Sequence, residues 1–203
     1  MFVILGCSVM ALAIILIKLV QFHRVRFHRT GFVNRALDAL SAGRTEDALG
    51  IVRGNPHPIA RVLETAMVDS QDRELSSGDV QADVSRVGSA EIQRLESMLR
   101  GLSALAQLSP LLGLLGTVTG MIEAFMELQN AGARPDPGAL SGGIWEALLT
   151  TAFGLMVAIP AMGAFYFFEG EIDRLRASMK DASVRVLIHF GRARAAVGPG
   201  GEA

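Results

Sequence analysis

Three stretches almost free of charge constrain this chain more than any other feature of its sequence. They are residues 1–22, with Lys18 as the only charge, 102–126, with Glu123 near the end, and 142–168, with Glu146 near the start. Each reaches the ~20 apolar residues that an α-helix needs to cross a ~30 Å hydrocarbon layer. Because three such helices are hard to bury in a soluble core, the sequence predicts an all-α membrane protein with three transmembrane helices.

The composition agrees with a membrane protein and excludes several other classes. Apolar residues make up 50% of the chain and charged residues 19%, and the net charge of −1 leaves no basic surplus for nucleic acid. The single cysteine, Cys7, excludes an intramolecular disulfide and a cysteine-cluster metal site. The four histidines lack metal-ligand spacing, and no nucleotide-binding loop or nucleophile elbow occurs. We therefore expect no enzyme activity, catalytic residue, metal or cofactor.

The distribution of Lys and Arg predicts the orientation of the helices. Basic residues flank the first stretch on its C-terminal side, the second on its N-terminal side and the third on its C-terminal side: Arg24, Arg26, Arg29, Arg35, Arg86, Arg94, Arg100, Arg174, Arg176, Lys180 and Arg185. The loop between the second and third stretches holds only Arg134. By the positive-inside rule the N-terminus faces outward and the C-terminus lies in the cytoplasm.

These signals divide the chain into seven predicted segments. They are a first transmembrane helix over 1–22, a cytoplasmic helical segment over 23–101, a second transmembrane helix over 102–128, an outer loop over 129–143, a third transmembrane helix over 144–168, a cytoplasmic helix over 169–195 and a disordered tail over 196–203. The first stretch could instead be a cleaved signal peptide, or Cys7 a lipidation site. It has no basic region before its apolar run, so we expect a retained helix.

Two apolar faces extend the membrane helices into the cytoplasm as long helices. One, from about Asp79, is predicted to run into the second membrane helix without a breaker and comprises Val80, Val84, Val87, Ile92, Leu95, Met98 and Leu99. The other continues the third membrane helix and comprises Ile172, Leu175, Met179, Val184 and Leu187. We expect these faces to pack on each other and on neighbouring subunits.

Small residues recur at helical spacing in the second and third stretches. In the second, Gly113, Thr117, Gly120 and Ala124 share one face, and Gly116 and Gly120 form a GxxxG pair. In the third, the corresponding small face comprises Thr151, Gly154 and Ala158, followed by Pro160, which can kink the helix. Such faces let helices approach closely in lipid. The hydroxyls of Thr117 and Thr151 have an alternative structural reading, in which each bonds back to a carbonyl one turn earlier.

Both stretches resemble a known family. LSPLLGLLGTVTGMI over 108–122 and GIWEALLTTAFGLMVAIPA over 143–161 resemble the MotA/TolQ/ExbB proton-channel family, and within it ExbB and TolQ most closely. The resemblance covers roughly residues 80–180. It implies a ring of this chain, commonly a homopentamer, around a pair of single-span ExbD/TolR-type proteins in the bacterial inner membrane. Proton flow would energise a TonB/TolA-type protein, for outer-membrane import or envelope maintenance.

The resemblance also implies roles for individual residues. The channel threonines of the family correspond to Thr117 and Thr151, and its glutamate in the third helix corresponds to Glu146. At ~1.5 Å per residue, Thr117 lies within a few Å of the membrane midplane and Thr151 slightly outside it. Glu146 lies near the outer end, where Glu123 and Glu127 could add to an acidic mouth. For these three acids, solvation among lipid head groups is the alternative.

Two other functions stay open at this point. A non-conducting scaffold would use the same small-faced helices only to assemble partners. A motor of another branch, of the gliding or flagellar type, would use the same proton path to drive a different process. The sequence does not separate these from an ExbB- or TolQ-like motor.

Overall fold

A computed structural model describes residues 2–24, 30–72, 74–130 and 137–196, and within these ranges the chain is helical, with no strand. The helices are α1 (Phe2–Arg24), α2 (Gly31–Ser41), α3 (Thr45–Val52), α4 (Pro58–Gln71), α5 (Ser77–Glu96), α6 (Leu99–Asn130) and α7 (Pro137–Ala196). Stretches long and apolar enough to span a membrane occur three times, within Phe2–His23, Ser77–Asn130 and Leu140–Ala193. The all-α fold with three candidate transmembrane helices is therefore confirmed.

The chain forms two compact units. The first, called here the apolar unit, comprises Met1–Leu19 and Met98–Glu169, and the second, called the polar unit, comprises Val20–Ser97 and Gly170–Ala203. The apolar unit thus contains most of α1, all of α6 and the first half of α7. The polar unit contains α2 to α5 and the remainder of α7.

Local signals define the helix ends of the polar unit. Gly43 and Gly54 adopt φ values of +75° and +73° just after the ends of α2 and α3, a conformation that glycine adopts without strain. At the start of α4 the backbone N–H of Ile59 donates to His57 Nδ1 at 3.2 Å, and Pro58 supplies the fixed φ of a first helical residue. Ser76 and Asp79 form a reciprocal capping box at the start of α5.

The core of the polar unit forms where α2 packs on α3, α3 on α4 and α4 on α5. The largest fully buried aliphatic side chains of this unit are Leu40, Leu49, Val52, Ile59, Val62, Leu63, Met67 and, from α7, Ile172. His57 is also buried, and its ring stands edge-on to Phe32 with centroids 5.2 Å apart. Met179 of α7 reaches the α4–α5 pair, where its sulfur lies 3.4 Å from the position of a Cβ built on Gly88.

In the apolar unit, α6 and α7 form an antiparallel pair that is closest at Gly113 and Gly154. A Cβ built on Gly154 would lie 2.6 Å from the Ser109 carbonyl oxygen and 3.1 Å from Gly113 Cα. A Cβ built on Gly113 would lie 3.0 Å from Thr151 Cα. The obstructing atoms belong to the backbone, so a side chain at either position requires the two helices to separate.

Further pairs continue the same register towards the C-terminal end of α6 and the N-terminal end of α7. Gly116 lies opposite Thr150, Gly120 opposite Ala147, and Ala124 opposite Gly143. In each pair, the space beside the glycine of one helix is filled by a small side chain of the other helix. The pair is therefore held by close van der Waals contact over about three helical turns.

The structure differs from the sequence-based expectations at several boundaries. The bounds of the outer loop predicted over 129–143 differ from the helix limits, because α6 continues to Asn130 and α7 begins at Pro137. Proline is favoured in the first turn of a helix, which is compatible with a start of α7 at Pro137. Residues 131–136, including Arg134, lie outside the described residues, as do Arg26, Arg29 and residues 197–203 of the predicted tail. Ala196, placed in that tail, is the last residue of α7.

The uninterrupted passage from the cytoplasmic helix into the second membrane helix is also wrong. The helix breaks at Ser97 and Met98, and Met98 has φ +68°. The Ser97 hydroxyl donates to the Arg94 carbonyl at 2.6 Å, so one of the last carbonyls of α5 accepts a hydrogen bond from a nearby side chain. Met98 and Val184, predicted on buried apolar faces, are 50% and 42% exposed. Apolar periodicity did not reveal the break because both sides of it are helical.

Gly154 provides a direct test of the α6–α7 contact. We expect Gly154→Ala to lower the stability of the purified protein in detergent by about 1–3 kcal/mol, because the new methyl group meets the Ser109 carbonyl. Gly163→Ala, also in α7, is the matched control, since a Cβ there meets nothing within 4 Å. Thermal unfolding followed by circular dichroism measures both. Equal midpoints for the two variants would contradict this account of the contact.

Asp69 of the polar unit predicts a pH dependence of stability. Partial burial, followed by the nearby carboxylate of Asp83, raises the pKa of Asp69 above the ordinary value of an aspartate. Arg86 Nε donates to Asp83 Oδ1 at 2.7 Å, which keeps Asp83 as the charged neighbour. The folded state therefore binds the Asp69 proton more tightly than the unfolded state does. Stability is lost as the pH rises from about 4 through the raised pKa of Asp69.

We expect Asp69→Asn to remove that loss. The variant should unfold at a higher temperature than the parent at pH 7, and the difference in Tm should shrink as the pH falls through the raised pKa of Asp69, because the parent carboxyl then takes up its proton. Asp38→Asn, at an exposed carboxylate of α2, is the control. It should leave the change in Tm between pH 7 and pH 4 the same as in the parent. A Tm difference for Asp69→Asn that is independent of pH would show that the effect is not one of ionisation.

Candidate functional site

Three hydroxyls and one carbonyl meet where α6 and α7 are closest. Thr117 lies on α6, one helical turn after Gly113, and Thr150 and Thr151 lie opposite on α7. The Thr151 hydroxyl donates to the Gly113 carbonyl oxygen at 2.9 Å and lies 3.4 Å from Thr117 Oγ1. The structure thus brings together Thr117 and Thr151, the two threonines predicted to line the channel.

The two threonines differ in how their hydroxyl protons are used. Thr117 Oγ1 donates to the Leu114 carbonyl of its own helix at 2.7 Å, as the alternative reading from sequence described. Thr151 instead donates across to α6, because the absence of a side chain at Gly113 leaves the carbonyl there accessible. Thr151 therefore links the two helices, whereas Thr117 is bonded within one helix.

This arrangement determines what the cluster offers to a third group. A hydroxyl has one proton and two lone pairs, and both protons are directed at backbone carbonyls. Thr117 and Thr151 are partly exposed, so their remaining lone pairs can accept a hydrogen bond from a protonated carboxyl or a water molecule. When either hydroxyl turns its proton outward, it can donate to a carboxylate. The pair can therefore bind both protonation states of an acid.

The predicted outer acids lie at one end of the same helix pair. Glu123 and Glu127 of α6 and Glu146 of α7 are all exposed. The contacts of Gly120 with Ala147 and of Gly143 with Ala124 place Glu123 and Glu146 within about two residues of the same level, or about 3 Å along the axis. Glu146 precedes Thr151 by five residues, which is about 7 Å along α7. The acids therefore lie outside the hydroxyl cluster, towards one end of the helix pair.

The residues expected to pack the helices fall into two groups. Gly113, Gly116, Gly120 and Gly154 all lie in the α6–α7 contact. Ala158 is buried, and Pro160 is exposed on α7, which continues through it as a helix. Pro160 has no backbone N–H, so the Met156 carbonyl lacks its helical donor. Pro160 is not part of the hydroxyl cluster.

Three contact residues were missing from the sequence-based set. Thr150 fills the space opposite Gly116, Ala147 the space opposite Gly120, and the buried Ser109 carbonyl covers Gly154. For α7 a signal existed, since positions 143, 147, 150, 154 and 158 carry only Gly, Ala or Thr at helical spacing. Ser109 had no such signal, because its contribution comes from its backbone.

Comparison with known proteins identifies the family. The model of the MotA/TolQ/ExbB proton channel family matches residues 55–181, which is more than half of the chain. A putative biopolymer transport protein ExbB homolog of Methanothermobacter thermautotrophicus is 31% identical over 144 residues, 70% of this chain and 48% of that protein. A biopolymer transport protein ExbB of Salmonella typhimurium is 34% identical over 87 residues, 43% of this chain and 35% of that protein.

A Tol protein shows a similar level of likeness. The Tol-Pal system protein TolQ of Haemophilus influenzae is 44% identical over 75 residues, 37% of this chain and 32% of that protein. The chain thus spans half or less of the length of these relatives. Because the family model matches more than half of the chain, including the hydroxyl cluster on α6 and α7, the chain belongs to the MotA/TolQ/ExbB proton channel family, close to ExbB and TolQ.

Proposed function

We propose that this chain is the ring subunit of an ExbB/TolQ-like motor driven by the proton-motive force in the bacterial inner membrane. With an ExbD/TolR-type single-span partner it couples proton flow to a TonB/TolA-type protein, for outer-membrane import or envelope maintenance. The observation that carries the proposal is the Thr117–Thr151 pair, with oxygens 3.4 Å apart between two helices that lack charge around it. Family membership supports the same assignment.

The proton-binding group comes from the partner. No acidic or basic side chain occurs between Arg100 and Glu123 or between Glu146 and Glu169. Hydroxyls do not bind and release protons near neutral pH, so this part of α6 and α7 can guide a proton but cannot store one. An ionisable group inside a membrane usually marks a transport path. A carboxyl on the single membrane helix of the partner fits this requirement, with Thr117 and Thr151 orienting it.

The outer acids gather protons in this proposal. Glu146, and with it Glu123, lies at the end of the α6–α7 pair that the positive-inside rule directs outward. Exposed carboxylates at a channel mouth raise the local concentration of cations, including protons. Protons then pass to the partner carboxyl beside the two threonines and leave on the cytoplasmic side.

The exposed apolar surface of the apolar unit supports the proposed ring. Large apolar side chains are exposed along α6 and α7, where they can face lipid or a neighbouring copy of the chain: Leu111, Leu114, Val118, Ile122, Leu148, Leu155, Met156 and Ile159. We propose that the bilayer covers part of this surface and that further copies cover the rest, in a homopentamer around two partner helices. The N-terminus lies in the periplasm and the C-terminus in the cytoplasm.

Removal of single hydroxyls tests the proton path. In proteoliposomes holding this chain and its ExbD/TolR-type partner, Thr117→Val and Thr151→Val should each reduce proton flux about tenfold or more, since a hydrogen bond worth about 1.5 kcal/mol changes a rate about tenfold. Thr119→Val is the matched control, because Thr119 is exposed and bonded to Leu115 and Gly116 of its own helix. An internal pH dye reports flux, and native mass spectrometry verifies assembly.

Two outcomes would contradict the proposal. If Thr117→Val and Thr151→Val conduct and support coupled activity like Thr119→Val, the chain acts as a scaffold and the hydroxyls have only a structural role. If this chain alone conducts protons as fast as the complex does, the proton-binding group lies in this chain and not in the partner.

Labelling with an impermeant thiol reagent tests the orientation. In a Cys7→Ala background, Gly138→Cys near the start of α7 should react from outside intact spheroplasts, and Ser77→Cys at the start of α5 should react only after lysis. Reaction of the Ser77→Cys protein in intact spheroplasts would reverse the proposed topology.

A further inference from the structure

Thr150 carries a third hydroxyl that the proposed proton path does not use. Its Oγ1 donates to the Ala147 carbonyl at 2.7 Å, one turn earlier in α7. The same oxygen lies 3.4 Å from the Gly113 carbonyl oxygen, the atom to which Thr151 donates at 2.9 Å. Two consecutive hydroxyls of α7 therefore reach one carbonyl of α6, and one of them has the shorter bond.

The backbone of α6 holds Thr150 in this place. A Cβ built on Gly116 would lie 2.5 Å from Thr150 Oγ1 and 2.9 Å from Thr150 Cβ, so Thr150 occupies the space that the glycine leaves. The side chain is confined by this contact and by its own helix. Redirecting its proton from Ala147 to Gly113 requires a rotation about the C–O bond and no movement of heavy atoms.

The Gly113 carbonyl can take only one of the two hydroxyl protons at a time. A carbonyl oxygen has two lone pairs, and in the continuous helix α6 one of them accepts the backbone N–H of Thr117. The other lone pair is available to Thr151 or to Thr150. When Thr151 releases this carbonyl, Thr150 can replace it, and the Ala147 carbonyl keeps its helical donor.

We propose that Thr150 is a positioning residue that takes over the Gly113 carbonyl whenever Thr151 turns its proton towards the carboxylate of the partner. This inference rests on the proposed function. Both hydroxyl protons stay hydrogen-bonded through the exchange, and the Gly113 carbonyl keeps a hydroxyl donor, while Thr151 changes from acceptor to donor at the proton path. No covalent bond is made or broken, and each hydroxyl keeps its own proton. Without the Thr150 hydroxyl, Thr151 would leave a lone pair of Gly113 without its partner.

Substitutions that separate the hydroxyl of Thr150 from its bulk test the inference. In proteoliposomes of the complex, Thr150→Val should reduce proton flux about fivefold, the effect of one ordinary hydrogen bond. Thr150→Ser should recover most of the flux because it returns the hydroxyl. Thr150→Ala provides a second comparison with Thr150→Ser, in which both side chains are small and only one donates. Thr119→Val on α6 again serves as the control.

A double variant distinguishes positioning from packing. If Thr150 acts through Thr151, Thr150→Val should have little further effect in a Thr151→Val background. Full flux in Thr150→Val, equal losses in Thr150→Ser and Thr150→Ala, or independent losses in the double variant would overturn the inference while leaving the proton path intact. Unchanged flux in both Thr117→Val and Thr151→Val would overturn the proposed function itself, and this inference with it.

Discussion

The contact between Gly113 and Gly154 is the constraint on which the apolar unit depends. A methyl group on Gly154 would lie 2.6 Å from the Ser109 carbonyl oxygen, and one on Gly113 would lie 3.0 Å from Thr151 Cα. A side chain at either position therefore forces the two helices apart. Close contact is especially important for the stability of a helix pair in a membrane. Lipid provides no apolar driving force between helices, so close van der Waals contact must replace it. The same closeness exposes the Gly113 carbonyl to Thr151 and so forms the interhelical hydrogen bond.

The proposed chemistry follows from what that contact contains and what it lacks. The helices bring hydroxyls together in a region without an acid or base, so they can orient a proton carrier without competing for its proton. A charge buried in a membrane is costly. Placing a single carboxyl on a partner and neutral hydroxyls on the ring limits that cost to one group. The proposed Thr150–Gly113–Thr151 exchange extends this idea, since it lets Thr151 change its role while the Gly113 carbonyl keeps a hydroxyl donor.

The polar unit is stabilised by different interactions. Its helices begin and end at specific caps, and ion pairs join neighbouring helices: Arg61 Nη1 lies 2.8 Å from Glu91 Oε1, and Arg176 of α7 pairs with Glu96 of α5. Exposed ion pairs contribute little individually. The buried side chains of helices α2 to α5 therefore provide most of the stability of this unit. The polar contacts favour one arrangement of the helices.

The sequence by itself determined the helical class, the three apolar spans and the faces on which Gly113, Thr117 and Gly120 lie, because these follow from composition and from the 3.6-residue period. It did not reveal the break at Met98, the start of α7 at Pro137, or the contact of Thr150 with Gly116. Periodicity places a residue on a face but does not specify which residue of the other helix lies opposite. Only the tertiary structure decided that register, and with it the pairing of Gly116 with Thr150 and the hydrogen bond that Thr151 donates to Gly113. The physical reason is that both depend on how closely the backbones of α6 and α7 approach each other.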